Sequence, residues 1–187
     1  MAGPLAARAH CWRAHFFTFF KRHRRAIDEF RQALALDPGM PDAWRCVGFL
    51  HALENEPAAA IAALREALRL APDHADTRFN LGFLLHQRGE LEAAAEQFKH
   101  AIRLNPVLDR AWYGLGVIYL DSGRLADAIE HLREAAKLQY FNPHAGHKLA
   151  IAYHRAGQHE QALAEQKRVE SYDPKMGAQI AHDIGLR

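Results

Sequence analysis

The sequence predicts an all-α protein: a right-handed superhelical α-solenoid of five 34-residue helix-turn-helix repeats, closed by a C-terminal capping helix. Three observations predict it. The composition favours helix, with Ala, Leu, Glu, Gln and Arg abundant and Val, Ile and Thr sparse. The chain repeats itself every 34 residues without insertion or deletion. Each repeat carries a break in its middle and, in most repeats, a proline at its end. At 49% hydrophobic and 25% charged, the chain has enough apolar surface to fold, which excludes a disordered tail. Lys and Arg total 24 against 22 Asp and Glu, so the net charge of +2 implies no polyelectrolyte partner. No apolar run approaches the roughly 18 residues of a membrane span. Cys11 and Cys46 form neither a metal motif nor a disulfide framework.

The period is visible at one segment. Trp44 opens WRCVGFLH, Arg78 opens RFNLGFLL, Trp112 opens WYGLGVIY and Gly146 opens GHKLAIAY. The repeats therefore run 7–40, 41–74, 75–108, 109–142 and 143–176. Residues 1–6 are an N-terminal tail, and 177–187 are a capping helix and tail. The eighth positions are Ala14, Gly48, Gly82, Gly116 and Ala150, all small. The twentieth are Ala26, Ala60, Ala94, Ala128 and Ala162. Small residues at both places let the two helices of a repeat approach closely.

In the first repeat, residues 7–21 form the first helix, with Arg13 where the other repeats hold Val or Leu. In the fourth, residues 109–121 and 125–138 form the pair. Gly89, Gly123 and Gly157 break the last three repeats between their helices, since glycine tolerates the left-handed turn that ends a helix. Pro38, Pro72, Pro106 and Pro174 stop the second helices. The fourth repeat has Tyr140 there instead, so its second helix is expected to run longer. Residues 175–184 form a short helix that covers the last repeat with Ile180 and Ile184, four apart. Isolated helices of about 14 residues are marginal in water, so all of them depend on packing.

Trp112, Leu115, Gly116, Tyr119, Ala128, Leu132 and Ala135 in the fourth repeat resemble the signature of the tetratricopeptide repeat. Leu81, Gly82, Ala94, Phe98, Ala101 and Pro106 match it in the third. The resemblance covers 41–176 throughout and 24–40 through Ala26, Phe30, Ala33 and Pro38. It implies a superhelix whose first helices line a concave groove. Positions 2, 5, 6, 9, 12 and 13 of each repeat then point into that groove.

Those positions put Arg45 and Phe49 in the second repeat, and Phe79, Asn80 and Phe83 in the third. They put Arg110, Tyr113 and Val117 in the fourth, and His144 and Lys148 in the fifth. Apolar and aromatic groups sit along the groove with cations among them. The chemistry that follows is a binding site for a peptide or helix with apolar anchors and a negative charge. The competing reading packs Phe49, Phe79 and Phe83 between neighbouring first helices. Some members of the family grip a C-terminal carboxylate with Lys, Asn, Asn, Lys and Arg. Here the matching positions hold Arg45, Phe49, Asn80, Arg110 and Gly114, and the two apolar departures argue against such a clamp.

His144, His147 and His154 share one helix face, but the outer two lie about 15 Å apart along the axis, too far to share a metal. Residues 1–27 hold six Lys and Arg, three His and no acid, leaving the remainder at −4. FFTFF followed by KRHRR reads in two ways. Residues 8–25 are an interfacial helix touching an anionic membrane, or a degraded first helix whose Phe16, Phe17 and Phe20 cap the array. The basic, acid-free start is also the composition of an organellar presequence.

No nucleophile motif, phosphate loop, dinucleotide fingerprint or HExxH is present. The expectation is a non-catalytic scaffold or adaptor that binds a protein or peptide. It uses no cofactor, metal, nucleic acid or small-molecule substrate. Few cysteines and the absence of a secretory signal pattern place it by default in the cytoplasm. The alternative is an assembly module that joins a complex or membrane through its N-terminal helix or convex face.

Overall fold

The computed structural model of the chain describes residues 3–185. Among them stand eleven helices and no strand. The first repeat is α1 (Gly3–Phe19) and α2 (His23–Leu36); the second is α3 (Pro41–Leu53) and α4 (Pro57–Leu70). The third is α5 (Ala75–Gln87) and α6 (Leu91–Leu104); the fourth is α7 (Asp109–Asp121) and α8 (Leu125–Leu138). The fifth is α9 (Pro143–Arg155) and α10 (His159–Glu170), followed by α11 (Pro174–Asp183). The chain divides into two compact units, Met1–Gln97 and Phe98–Arg187, with the boundary inside α6.

Two boundaries differ from expectation. Helix α1 begins at Gly3, within the stretch read as a tail. Helix α8 stops at Leu138 and runs no longer than its counterparts, although Tyr140 replaces the stop proline. Tyr140 and Phe141 instead form a turn whose rings join Tyr172, with the Arg168 guanidinium 4.7 Å from the Tyr140 ring centre.

The break inside each repeat has one geometry. Lys21, Asn55, Gly89, Gly123 and Gly157 all occupy the fifteenth position, and all have φ between 53° and 78°. The next residue's N–H donates back over the turn to the eleventh residue's carbonyl, as Glu90 does to Leu85 and Arg124 to Tyr119, at 2.9 Å each. That is the Schellman closure, which satisfies carbonyls that a helix end leaves open. Asn and Lys adopt the left-handed conformation at the cost that glycine avoids.

In the first unit, Ala14, Ala26, Ile27, Phe30, Leu34, Ala43, Val47, Leu50 and Ala63 form a core cluster shared by α1 to α4. Gly48 has no room for a side chain: a Cβ there would lie 2.8 Å from Leu64 and 3.2 Å from the Ala60 carbonyl. Arg13, the departure in the first repeat, ion-pairs with Glu29 of α2 at 3.0 Å, and His10 lies 2.7 Å from the same carboxylate. The terminal helix is thus held to α2 partly by charge where other repeats use apolar contact.

The second unit repeats the close approach. A Cβ on Gly116 would lie 2.7 Å from Leu132, and Ala128 and Leu132 are fully buried. Helix α11 covers the last repeat with Ile180 and Ile184, both buried as expected. Two polar contacts reinforce it. Buried Gln166 donates to the Gly177 carbonyl at 3.1 Å, and His147 of α9 lies 2.7 Å from Asp183.

Consecutive repeats are clasped at the chain's turns. Trp44 Nε1 donates to the Pro38 carbonyl at 3.1 Å, Arg78 Nε to Pro72 at 3.1 Å, and Trp112 Nε1 to Pro106 at 2.8 Å. The fifth repeat has Gly146 at that position and cannot reach back. Arg168 does so instead, donating to the Tyr140 carbonyl at 2.6 Å. Gly146 makes the space: a Cβ there would lie 2.8 Å from the Arg168 guanidinium.

Two measurements check this packing. Ala128→Phe should overpack the fourth repeat and lower stability by about 1–3 kcal/mol or more in urea titration, while Ala126→Phe, at an exposed site, should not. Equal midpoints for the two variants would contradict the packing account. Hydrogen bonds from His182 and His147 hold the Asp183 carboxyl below its ordinary value of 3.8. A depressed carboxylate pKa stabilises the fold fully above the ordinary value, and that contribution is lost as pH falls through the lower folded value. Melting temperature should therefore drop more steeply below about pH 4 in the wild type than in Asp183→Asn.

Candidate functional site

The first helices of the first unit, α1, α3 and α5, leave an open pocket of about 260 Å³ on their shared side. Helix α3 supplies Arg45, Cys46 and Phe49, and α5 supplies Asp76, Thr77 and Asn80. Helix α1 adds His15 and Thr18. Three residues expected from sequence, Arg45, Phe49 and Asn80, are therefore brought together. Phe49 is 53% exposed, and so presents an aromatic face at the pocket. Arg45 reaches Asp42 of its own helix at 2.9 Å, one contact from a guanidinium with five donors. His74 caps α5, its Nδ1 accepting from the Thr77 N–H at 3.2 Å, and both residues line the pocket.

Phe79 and Phe83 lie one turn apart on α5 and stack, with ring centres 6.3 Å apart. Phe83 is 47% exposed and Phe79 half-buried. Phe49 and Phe83 therefore keep about half of their surface open, whatever packing they make between first helices. In the second unit Arg110, Tyr113 and Val117 stand on α7, with Arg110 exposed and the other two half-buried. Burial pushes the Tyr113 phenol up, with Asp121 adding to the effect. His144 and Lys148 stand on α9, which packs beside α7.

His15 and Thr18 were absent from the expected set, although they occupy the ninth and twelfth positions of the first repeat. The same register that selected Phe49 and Phe83 at position nine selects His15. The degraded first helix obscured it. A second concavity, of about 490 Å³, lies on the other side of the first unit between α2 and α4. It is lined by Leu34, Trp44, Val47 and Ala63, with His51 and Arg31 at its edge. His51 is buried and lies 2.6 Å from Glu56. His51 stands at the eleventh position, where other repeats bury Leu85, Tyr119 and Tyr153, so the period marks its burial but not its carboxylate partner.

The N-terminal aromatics also sort differently from the capping expectation. Phe17 packs against the core of the first unit, but Phe16 and Phe20 do not cap anything; they are 53% and 55% exposed. The remaining histidines of α9 find partners within their own unit. His147 pairs with Asp183, and His154 meets the His159 ring at 5.2 Å.

Helical hairpins of one length, joined by one turn geometry and one close contact, define a helical-repeat protein. The model of the tetratricopeptide repeat matches residues 20–75, 52–108, 87–143 and 113–176, and the chain belongs to that family. Members of it serve as protein–protein interaction scaffolds. Among solved structures, MamA is 22% identical with a TM-score of 0.84, covering 92% of this chain and 94% of its own. YrrB, described as "a TPR protein with an unusual peptide-binding site", is 18% identical with a TM-score of 0.82, covering 92% and 90%. PilF of Pseudomonas aeruginosa is 20% identical with a TM-score of 0.77, covering 100% and 88%. These likenesses are of fold. No curated protein matches the chain in sequence.

The pocket's thiol offers a direct check on its environment. Burial pushes both the Cys46 and Cys11 thiols up, and nucleophilic attack needs the thiolate. Iodoacetamide should modify both at least about tenfold more slowly in the folded chain than in urea, read by mass spectrometry. Equal rates would mean that the thiols are not shielded.

Proposed function

We propose that this protein is a non-catalytic adaptor whose first-helix face binds a peptide or helical segment bearing apolar anchors and a negative charge. The observation that carries the reading is the pocket between α1, α3 and α5, where a half-exposed Phe49 stands beside Arg45 and Asn80. Large apolar groups left open on a concave surface are the usual mark of a binding site. An aromatic face anchors an apolar side chain, a guanidinium fork pairs with a carboxylate, and an amide can hold extended backbone. The stacked Phe79 and Phe83 extend the apolar surface along α5. On the second unit, Tyr113 and Val117 supply apolar surface, and Arg110 and Lys148 supply positive charge. YrrB, which shares the fold, is described as having a peptide-binding site, and this supports the reading without specifying the ligand.

The reading does not extend to a carboxylate terminus gripped by a polar clamp, because Phe49 stands where such a clamp needs a polar group. An acidic residue between apolar ones fits the pocket better. The test is a peptide array in which apolar and acidic positions vary independently, followed by anisotropy titration of the best binder. Phe49→Ala and Arg45→Glu should each weaken it by at least about tenfold, the truncation of an interface anchor costing about 1–2 kcal/mol. Undiminished binding by both variants would remove this face from consideration.

A further inference from the structure

Helix α1 is apolar on two opposite sides. One side carries Ala7, Cys11, Ala14 and Phe17 and packs into the first unit. The other carries Leu5, Trp12, Phe16 and Phe19, half a helical turn away. These four are 72%, 77%, 53% and 81% exposed. They form a continuous aromatic ridge about 21 Å long.

The ridge includes a face that other repeats bury. In the second and third repeats, positions three and ten are Ala43 with Leu50 and Thr77 with Leu84, buried where the preceding second helix packs. In the fifth they are Ala145 and Ala152, also buried. In the first repeat they are Ala9 and Phe16, both exposed. The ridge is also wider than such a stacking face. Trp12 and Phe19 stand at positions six and thirteen, where the other repeats hold Cys46, Asn80, Gly114 and Lys148, and Leu53, Gln87, Asp121 and Arg155. A convex ridge of large rings offers no notch for an incoming helix. It suits a flat and deformable apolar phase.

Charge decides which phase. Residues 1–27 contain six Lys and Arg and no acid. Arg13 and Arg24 are taken up by Glu29 and Glu54. Arg8, Lys21 and Arg22 are exposed and, among the described residues, pair with no carboxylate. A second copy docked face to face would bring two such cationic edges together. A copy docked head to tail would meet α11, whose outer surface of Lys175, Ala178, Gln179 and His182 is polar or small. Neither arrangement is complementary, whereas a negatively charged lipid surface is.

We propose that the outer face of α1 docks on anionic membranes, with Trp12, Phe16 and Phe19 entering the interfacial zone and Arg8, Lys21 and Arg22 meeting the headgroups. No helix among the described residues is long and apolar enough to cross a membrane, so the attachment is interfacial. Trp12 and Phe19 hold positions six and thirteen of the first-helix face, but neither lines the pocket of the peptide site, so the two proposals are tested by different variants.

The test uses the full chain with vesicles of phosphatidylcholine alone and of phosphatidylcholine mixed with phosphatidylglycerol. The wild type should sediment with the mixed vesicles, not with the neutral ones, and be released as salt rises. Trp12→Ser with Phe16→Ser and Phe19→Ser should reduce partitioning at least about tenfold, with helicity by circular dichroism unchanged because the side chains are exposed. Lys21→Glu with Arg22→Glu should remove the preference for anionic lipid. As a measurement that needs no multiple variant, brominated acyl chains should quench the wild-type fluorescence, and Trp12→Phe should abolish that quenching. The proposal is overturned if the wild type stays in solution with both vesicles, or if the triple variant sediments like the wild type. It is equally overturned if the ridge is instead consumed in a dimer, seen by sedimentation velocity and lost in the triple variant.

Discussion

The close approach of two helices at a pair of small residues underlies everything else in this protein. Glycine or alanine at the eighth position of each repeat faces a second helix whose twentieth position is always alanine. At Gly48 and Gly116 the space is too tight even for a methyl group, because Leu64 and Leu132 occupy it. Helices of 13 or 14 residues would not persist alone in water. Brought this close, they bury Leu and Phe side chains around the contact. The left-handed turn at position fifteen then has only to join two rods already held together, which is why Lys21 and Asn55 can replace glycine there.

A second constraint acts between repeats. Each clasp ties the fourth residue of one repeat to the carbonyl that ends the last, and Trp44, Arg78 and Trp112 all make it. Trp and Arg share no size or charge, but both carry an N–H on a long planar group, and that donor is what the carbonyl requires. Where Gly146 removes the donor, Arg168 supplies one from a different helix, sandwiched between Tyr140 and Tyr172. The contact survives although its residue has moved.

Helices α1 and α11 present opposite outer surfaces. At the C-terminal end α11 buries Ile180 and Ile184 and turns a polar surface outward. At the N-terminal end α1 turns outward a row of aromatic rings bordered by cations. Helices α3 and α5 of the first unit keep Phe49 and Phe83 open to solvent. Framework positions are thus spent on packing, and the remaining positions of the first helices are free to carry recognition. That division is what suits a tetratricopeptide repeat protein to binding other polypeptides.

The sequence by itself determined the fold class, the register of the five repeats and the terminal cap. All of these follow from periodic small and apolar residues, and periodicity survives in one dimension. It also located Arg45, Phe49 and Asn80 on the side where a pocket forms, and His15 and Thr18 stand in the same register. Only the tertiary structure decided which aromatics are open. Phe17 is in the core while Phe16 beside it faces solvent, and Phe79 is half-buried while Phe83 is not. Exposure depends on which neighbouring helix lies over a residue, and that is a property of three-dimensional packing. The Arg168 clasp was likewise illegible, because it joins residues far apart in the chain with no repeating signal to mark it. His51 and Gln166 stand at the eleventh and twenty-fourth positions, where other repeats bury Leu85, Tyr119 and Tyr153, and Phe30, Leu64, Phe98 and Leu132. Their burial therefore follows from the period, and only their polar partners needed the tertiary structure.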